Sequence, residues 1–200
     1  MRRLIRRHGP CALAPRVRWS PYEALVRAVA HQQLNGRAAE TILARFVALF
    51  DGQRFPSPAT VVAADPRTLR RSGLSRAKAR AIKDIARHAV AGAVPTRRTA
   101  ARMTDAAIIE QLTRIRGVGT WTVEMLLIFT LGRPDVLPVN DFGVRDGYRL
   151  AYRLPRQPSP KELLAFGERW RPHRSVAAWY LWQAANEARA RAAARRGARS

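Results

Sequence analysis

The chain has 200 residues, of which 37 are lysine or arginine and 14 aspartate or glutamate, a formal charge of +23. With 47 % hydrophobic residues and aromatic side chains spread along its length, it can bury a sizeable core in one domain or two lobes, which excludes a disordered basic tail. The one cysteine, Cys11, excludes an internal disulfide, a zinc ribbon and a four-cysteine iron–sulfur cluster.

The elements read as helices with proline punctuation. Ser20-Pro21-Tyr22-Glu23 places a capping serine, a proline at the first helical position and a glutamate three residues after the cap, ahead of Leu25, Val26 and Val29. Residues 38–50 carry Ile42, Leu43, Phe46, Val47 and Phe50 on one helical face. Ser57-Pro58 and Asp65-Pro66 start further helices, and residues 75–90 carry Ala79, Ile82, Ile85 and Ala86 at helical spacing. A helix end, Gly117-Val118-Gly119 and a new helix near Thr120 form a hairpin over residues 112–131, and Ser159-Pro160-Lys161-Glu162 opens another helix. Breaks fall at residues 51–58, 91–104 and 154–160, and no stretch alternates apolar and polar residues as a strand would. The expected fold is all-α: a bundle of about eight to ten helices in two lobes with a cleft between them, spanning residues 1–190 and followed by a basic, fraying tail at 191–200.

Charge implies a polyanionic partner or an anionic membrane surface. The longest apolar stretch, residues 123–131, contains Glu124 and is too short to cross a bilayer, and the N-terminus has no signal-peptide core. A soluble intracellular protein is expected, cytoplasmic in a prokaryote and nuclear otherwise. Gly117-Val118-Gly119 allows a tight turn whose backbone N–H groups face outward and bind phosphate, although an ordinary helical hairpin with a glycine cap has the same sequence. Asp141, after a proline-containing loop, reads by itself as a helix N-cap. Glu124 and Asp146 read as solvated or salt-bridged helix residues and Asp135 as a loop turn.

Helix, Gly-Val-Gly hairpin, helix, proline loop and aspartate in that order resemble the helix-hairpin-helix DNA glycosylase superfamily. The match is to its alkylpurine branch, the 3-methyladenine DNA glycosylase II type. The motifs carrying it are His31-Gln32-Gln33-Leu34, Gly73-Leu74-Ser75-Arg76-Ala77-Lys78, the hairpin with Trp121, Val139-Asn140-Asp141, and Trp170-Arg171-Pro172-His173-Arg174-Ser175 running on to Trp179-Tyr180-Leu181-Trp182. They span most of the chain. The superfamily's oxidised-pyrimidine and adenine-mismatch branches typically carry a four-cysteine cluster, which Cys11 alone cannot make.

The resemblance implies an enzyme of base-excision repair that flips a damaged base out of duplex DNA and cuts it from its sugar. Asp141 would stabilise the oxocarbenium-like sugar and direct water. A cationic alkylpurine needs no second acid to leave. Trp121, Phe142, Met125 and Trp182 would form the base pocket; Phe142 and Met125 stand where the best-known family pattern is more polar. Gln33 or Leu34 would plug the vacated stack, with Asn35 as a minor-groove probe. Arg37, Arg76, Lys78 and Arg116 would contact phosphates, with Gly117, Val118, Gly119 and Thr120 supplying the hairpin's DNA-facing surface. No organic cofactor is expected, and the family's hairpins hold a monovalent cation through backbone carbonyls. A monomer acting on double-stranded DNA with alkylated bases is expected, with no membrane partner. Only three lysines occur, Lys78, Lys83 and Lys161, and the position two residues after the last hairpin glycine is Trp121, so no strand-nicking lyase step is expected. Two other readings are a noncatalytic helix-hairpin-helix DNA-binding module, with Asp141 only a cap, and a basic RNA-associated structural protein; base release from alkylated duplex separates all three.

Overall fold

The structure, a computed structural model, describes residues 1–34, 36–50 and 52–197, with the backbone alone at 196 and 197. Among these residues the chain forms helices and no strand. In order they are α1 (Arg2–His8), α2 (Pro21–His31), α3 (Gly36–Ala48), α4 (Pro58–Ala63), α5 (Pro66–Arg71), α6 (Arg76–Val90), α7 (Arg97–Ala100), α8 (Asp105–Leu112), α9 (Thr120–Leu126), α10 (Phe142–Tyr152), α11 (Pro160–Gly167) and α12 (Arg174–Gly197). A π-helical turn, Leu127–Leu131, prolongs α9, and a 3₁₀ turn, Glu168–Trp170, follows α11.

Twelve α-helices exceed the eight to ten expected because α1 and α7, at seven and four residues, are too short to display an apolar stripe. The predicted starts hold. Ser20, Ser57 and Ser75 accept the N–H groups of Glu23, Thr60 and Lys78, and Asp65 accepts that of Arg67. Ser159 and Glu162 close a full capping box, and with Arg156 donating to it as well, the Glu162 carboxyl is held down to about 2. The last helix runs through Gly197, past the boundary placed at residue 190 from sequence; residues 198–200 lie outside the described residues.

The chain divides into two units, Pro15–Leu131 and Met1–Ala14 with Gly132–Ser200. In the first, α2 packs against α3, α6 and α9, burying Leu25, Val29, Phe46, Ile82, Ile85, Leu112, Ile115 and Leu127 completely or nearly so. In the second, α10 lies against α12 around Val144, Tyr148, Leu163, Ala178 and Leu181. Their backbones touch at Gly147, where a Cβ would stand 1.9 Å from the Leu181 carbonyl oxygen, so only glycine lets the two helices approach this closely. Trp170 packs edge-on against Phe166, and Trp179 against Tyr180.

Candidate active site

In the second unit, the loop from Gly132 to Asn140 delivers Asp141 to the first position before α10. That loop is held from beneath by the start of α12. Arg174 donates to both carboxylate oxygens of Asp135, at 2.7 and 3.1 Å, and to its carbonyl at 2.9 Å, and Arg171 adds a contact at 2.7 Å. Ser175 Oγ donates to the Arg133 carbonyl and accepts the Val136 N–H. Burial pushes the Asp135 carboxyl up, but the Arg174 hydrogen bonds and the two guanidinium charges outweigh it and hold the group below its ordinary value. Asp135 sits at a bend of this loop, as expected, and is also its ionic anchor. The Arg171 to Ser175 motif, quoted from sequence without a role, supplies the anchor's other half.

Asp141 Oδ1 accepts two donors, the Val144 N–H at 2.7 Å and the Trp182 indole N–H at 2.8 Å. The first is the N-cap bond that any aspartate here would make. The second is additional: it points the carboxylate by means of a bulky side chain from α12. Gly143 makes room for it, since a Cβ there would lie 2.9 Å from Trp182 Cδ1 and 3.1 Å from Asp141 Oδ1. Trp182 thus presents its indole edge to Asp141. Phe142, one residue on, is 63 % exposed, with the Arg189 guanidinium 5.8 Å from its ring centroid. Asp146 pairs with Arg149 as expected.

In the first unit, the hairpin turn after α8 is built on Gly117, at φ +78° and with an added Cβ only 2.7 Å from the Ala81 Cβ, so both conformation and space require glycine. Arg116 is exposed, and its N–H is tied to the Asp84 carboxylate at 2.9 Å. Gly119 caps α9 with no side chain, and Thr120 follows exposed, so the first-turn N–H groups have no side-chain cap. Val118 departs from expectation. It is 4 % exposed and its N–H goes to the Ile115 carbonyl, so it anchors the hairpin in the core instead of meeting DNA. Trp121, 37 % exposed, and half-buried Met125 lie one helical turn apart on the same face of α9. Glu124, expected to be solvated or salt-bridged, is 7 % exposed and so is not solvated.

The segment after α2 is clamped on two sides. Lys78, expected on a phosphate, instead donates its ammonium to the Ala30 carbonyl at 2.8 Å and the Gln32 carbonyl at 2.6 Å, and burial lowers its pKa. Gln32 in turn donates its side-chain amide to the Gly117 carbonyl at 3.1 Å and the Thr122 hydroxyl at 3.3 Å. This joins the segment to the hairpin. Gln33 follows in the left-handed region at φ +56°, and both it and Leu34, 39 % exposed, stand out from the clamp. Asn35 lies outside the described residues. Arg37 and Arg76 are exposed in the first turns of α3 and α6. Gln32, Gly143 and Arg174 are positioning residues that spacing did not single out, since Gly117, Trp182 and Asp135, which they hold or make room for, are distant in sequence.

For a monovalent cation the hairpin offers neutral carbonyl oxygens, a suitable donor type. Those of Ile115 and Gly117 each accept one hydrogen bond and keep a second lone pair. Among the described residues no group of three His, Cys, Asp or Glu could hold a metal ion, and no helix is long and apolar enough to cross a membrane.

Residues 26–172 match the family of HhH-GPD superfamily base excision DNA repair proteins. The chain is 44 % identical over 163 residues to DNA-3-methyladenine glycosylase 1 of Schizosaccharomyces pombe, covering 82 % of this chain and 72 % of that protein. It is similar to the structure of a 3-methyladenine DNA glycosylase of the same yeast in complex with abasic DNA, with a TM-score of 0.83, 41 % identity and coverage of 91 % and 89 %. A DNA-3-methyladenine glycosidase of Bacillus halodurans superposes with a TM-score of 0.77 at 32 % identity, covering 86 % and 78 %. With the matched segment running from within α2 to Pro172, and so containing both the hairpin and Asp141, the chain belongs to the HhH-GPD superfamily of base excision DNA repair proteins.

Proposed function

We propose that this protein is a DNA-3-methyladenine glycosylase, which flips cationic alkylated purines such as 3-methyladenine and 7-methylguanine out of duplex DNA and hydrolyses the N-glycosidic bond, leaving an abasic site. The observation that carries this reading is the Asp141 carboxylate, oriented by both the Val144 N–H and the Trp182 indole at the end of an ion-paired loop. A cap alone needs only the first of these bonds. The second, with the glycine that admits it, is what a carboxylate requires when its direction matters to a reaction.

The chemistry follows from charge. Cleavage of the glycosidic bond builds positive charge on the sugar, which a fixed carboxylate stabilises while it directs water to the anomeric carbon. The base leaves neutral because alkylation has already made it cationic, so one carboxylate suffices. Aromatic faces favour such a base over a neutral one through stacking and cation–π attraction, the role proposed for Trp121 and Phe142. The hairpin N–H groups with Arg116, Arg37 and Arg76 hold phosphates, and Gln33 or Leu34 fills the gap in the stack. A monovalent cation at the hairpin would be held by carbonyls such as those of Ile115 and Gly117, adding positive potential toward the phosphate. Lys78 acts indirectly: with Gln32 it makes the plug loop and the hairpin one rigid piece, so that gripping the backbone sets how far the plug enters.

The reaction stops at the abasic site. Trp121 occupies the position from which a lyase lysine would act, Lys78 is bound to two carbonyls, and Lys83 donates to the Ala64 carbonyl at 2.6 Å. Incubation with a duplex holding one 7-methylguanine should release the free base, with strand breaks appearing only after alkali and no adduct trapped by borohydride. Duplex binding without base release would reduce the protein to a noncatalytic helix-hairpin-helix module, and a trapped adduct would overturn the hydrolytic mechanism.

A further inference from the structure

A trough of about 1280 Å³ runs along the second unit between α1, the C-terminal end of α10 and the last turns of α12. Six arginines line it: Arg3, Arg6 and Arg7 from α1, Arg153 after α10, and Arg191 and Arg195 from α12. Arg3, Arg6 and Arg7 share one helical face, as do Arg191 and Arg195. On α12, Ala184, Ala188 and Ala192 recur at every fourth position, so the floor is low and the arginines stand above it. The one carboxylate in the lining, Glu187, pairs with Arg7 and Arg191 and holds those two guanidinium groups in place. Arg3, Arg6, Arg153 and Arg195 have no ion-pair partner among the described residues.

Arg153 is the telling member. It caps α10 in the left-handed conformation, at φ +56° and ψ +40°, where glycine is the usual residue. A strained backbone there places an arginine in the trough at the end of α10 opposite to Asp141. The helix between them has 11 residues, so the two positions are about 16 Å apart along its axis. The trough is thus separate from the residues proposed to hold the lesion.

Its chemistry is that of a phosphodiester backbone. Guanidinium forks match phosphate oxygens, and an open trough suits a strand running through it. No aromatic side chain lines it, so it has neither a platform for stacking an unpaired base nor an aromatic anchor for a protein partner. We propose that the trough is a second DNA-binding site, which holds the backbone of a duplex other than the one under repair and lets the protein pass directly from one segment to another. This rests on the glycosylase reading only for the identity of the first duplex.

The test uses the full chain. A biotinylated duplex is immobilised and saturated with protein, excess protein is washed away, and a fluorescent duplex of unrelated sequence is added at about 0.1 M salt. The wild type should capture the second duplex. The triple variant Arg6→Ala, Arg153→Ala, Arg195→Ala should capture at least on the order of tenfold less, since three lost phosphate contacts remove most of a purely electrostatic site. Its first-duplex affinity and its single-turnover base release should stay within about twofold. The corresponding triple lysine variant, which keeps the charges, should retain most of the capture and shows that the loss is not one of folding. Failure of the wild type to capture, or equal capture by the alanine variant, would overturn the proposal. So would displacement of the second duplex by polyglutamate as readily as by DNA, which would assign the trough to an acidic protein. Base release without bridging removes the trough alone, and bridging without base release removes the enzyme alone.

Discussion

The two loops proposed to meet DNA are held in different ways. The loop from Gly132 to Asp141 is fastened by charge: Arg171 and Arg174 on Asp135, then Trp182 and the Val144 N–H on Asp141 itself. The segment after α2 has no ion pair in its fastening: the Lys78 ammonium and the Gln32 amide both end on neutral oxygens, and its tip, Gln33 and Leu34, projects beyond the fastening. A carboxylate that must face one reacting carbon has every neighbour specified. A plug that enters a stack needs only a rigid base and an exposed end.

The comparison is most directly broken at Asp141. Asn in its place can still cap α10 through its side-chain oxygen, so the fold should melt within a degree or two of wild type, while single-turnover base release falls by about 10²- to 10⁴-fold. Near-normal excision by this variant would leave Asp141 a cap and nothing more. Gly143→Ala asks whether aim matters apart from charge. Its Cβ must displace Trp182 or Asp141, and a misplaced carboxylate should lower the single-turnover rate by on the order of ten- to a hundredfold with little change in duplex affinity. A wild-type rate in a folded Gly143→Ala variant would show that the Trp182 bond does not orient the reaction.

Lys78→Met probes the other loop and separates two roles for one lysine. If Lys78 stiffens the plug, base flipping, followed by a fluorescent base analogue beside the lesion, should weaken by about 1 kcal/mol, or roughly fivefold, while the salt dependence of binding to undamaged duplex stays as in wild type. If it contacts phosphate, the logarithmic salt slope should instead fall by about one with flipping unchanged. Gln32→Ala should reproduce the flipping defect, as both act on the same segment.

The smallest effect on chemistry is expected at Asp135. Asp135→Asn should destabilise the protein by about 1 to 3 kcal/mol, because Arg174 keeps its charge in a largely buried position with only the ion pair to Glu168 left. A carboxyl whose folded pKa lies below its unfolded one stabilises above the unfolded value and loses that contribution as pH falls through the folded value. The melting-temperature gap between wild type and Asp135→Asn should therefore be full at neutral pH and close only below its ordinary value of 3.8. A gap independent of pH across that window would show that the anchor is not ionic.

Local chemistry was legible in the sequence because it acts over three or four residues. Serine and aspartate caps, proline at first helical positions, and apolar spacing in α2, α3 and α6 depend on neighbours in the chain, and each forms where expected. The order of hairpin, loop and aspartate also carried the family. What needed the tertiary structure was the set of partners: Trp182 for Asp141, Arg174 for Asp135, Gln32 for Gly117 and the carbonyls that engage Lys78 are between 39 and 85 residues apart in the chain. Exposure was equally hidden, since Val118 and Arg116 share one short turn yet only one faces the core. Sequence determines which groups are present and how each segment coils; packing decides which of them a buried neighbour occupies, and so which remain for DNA.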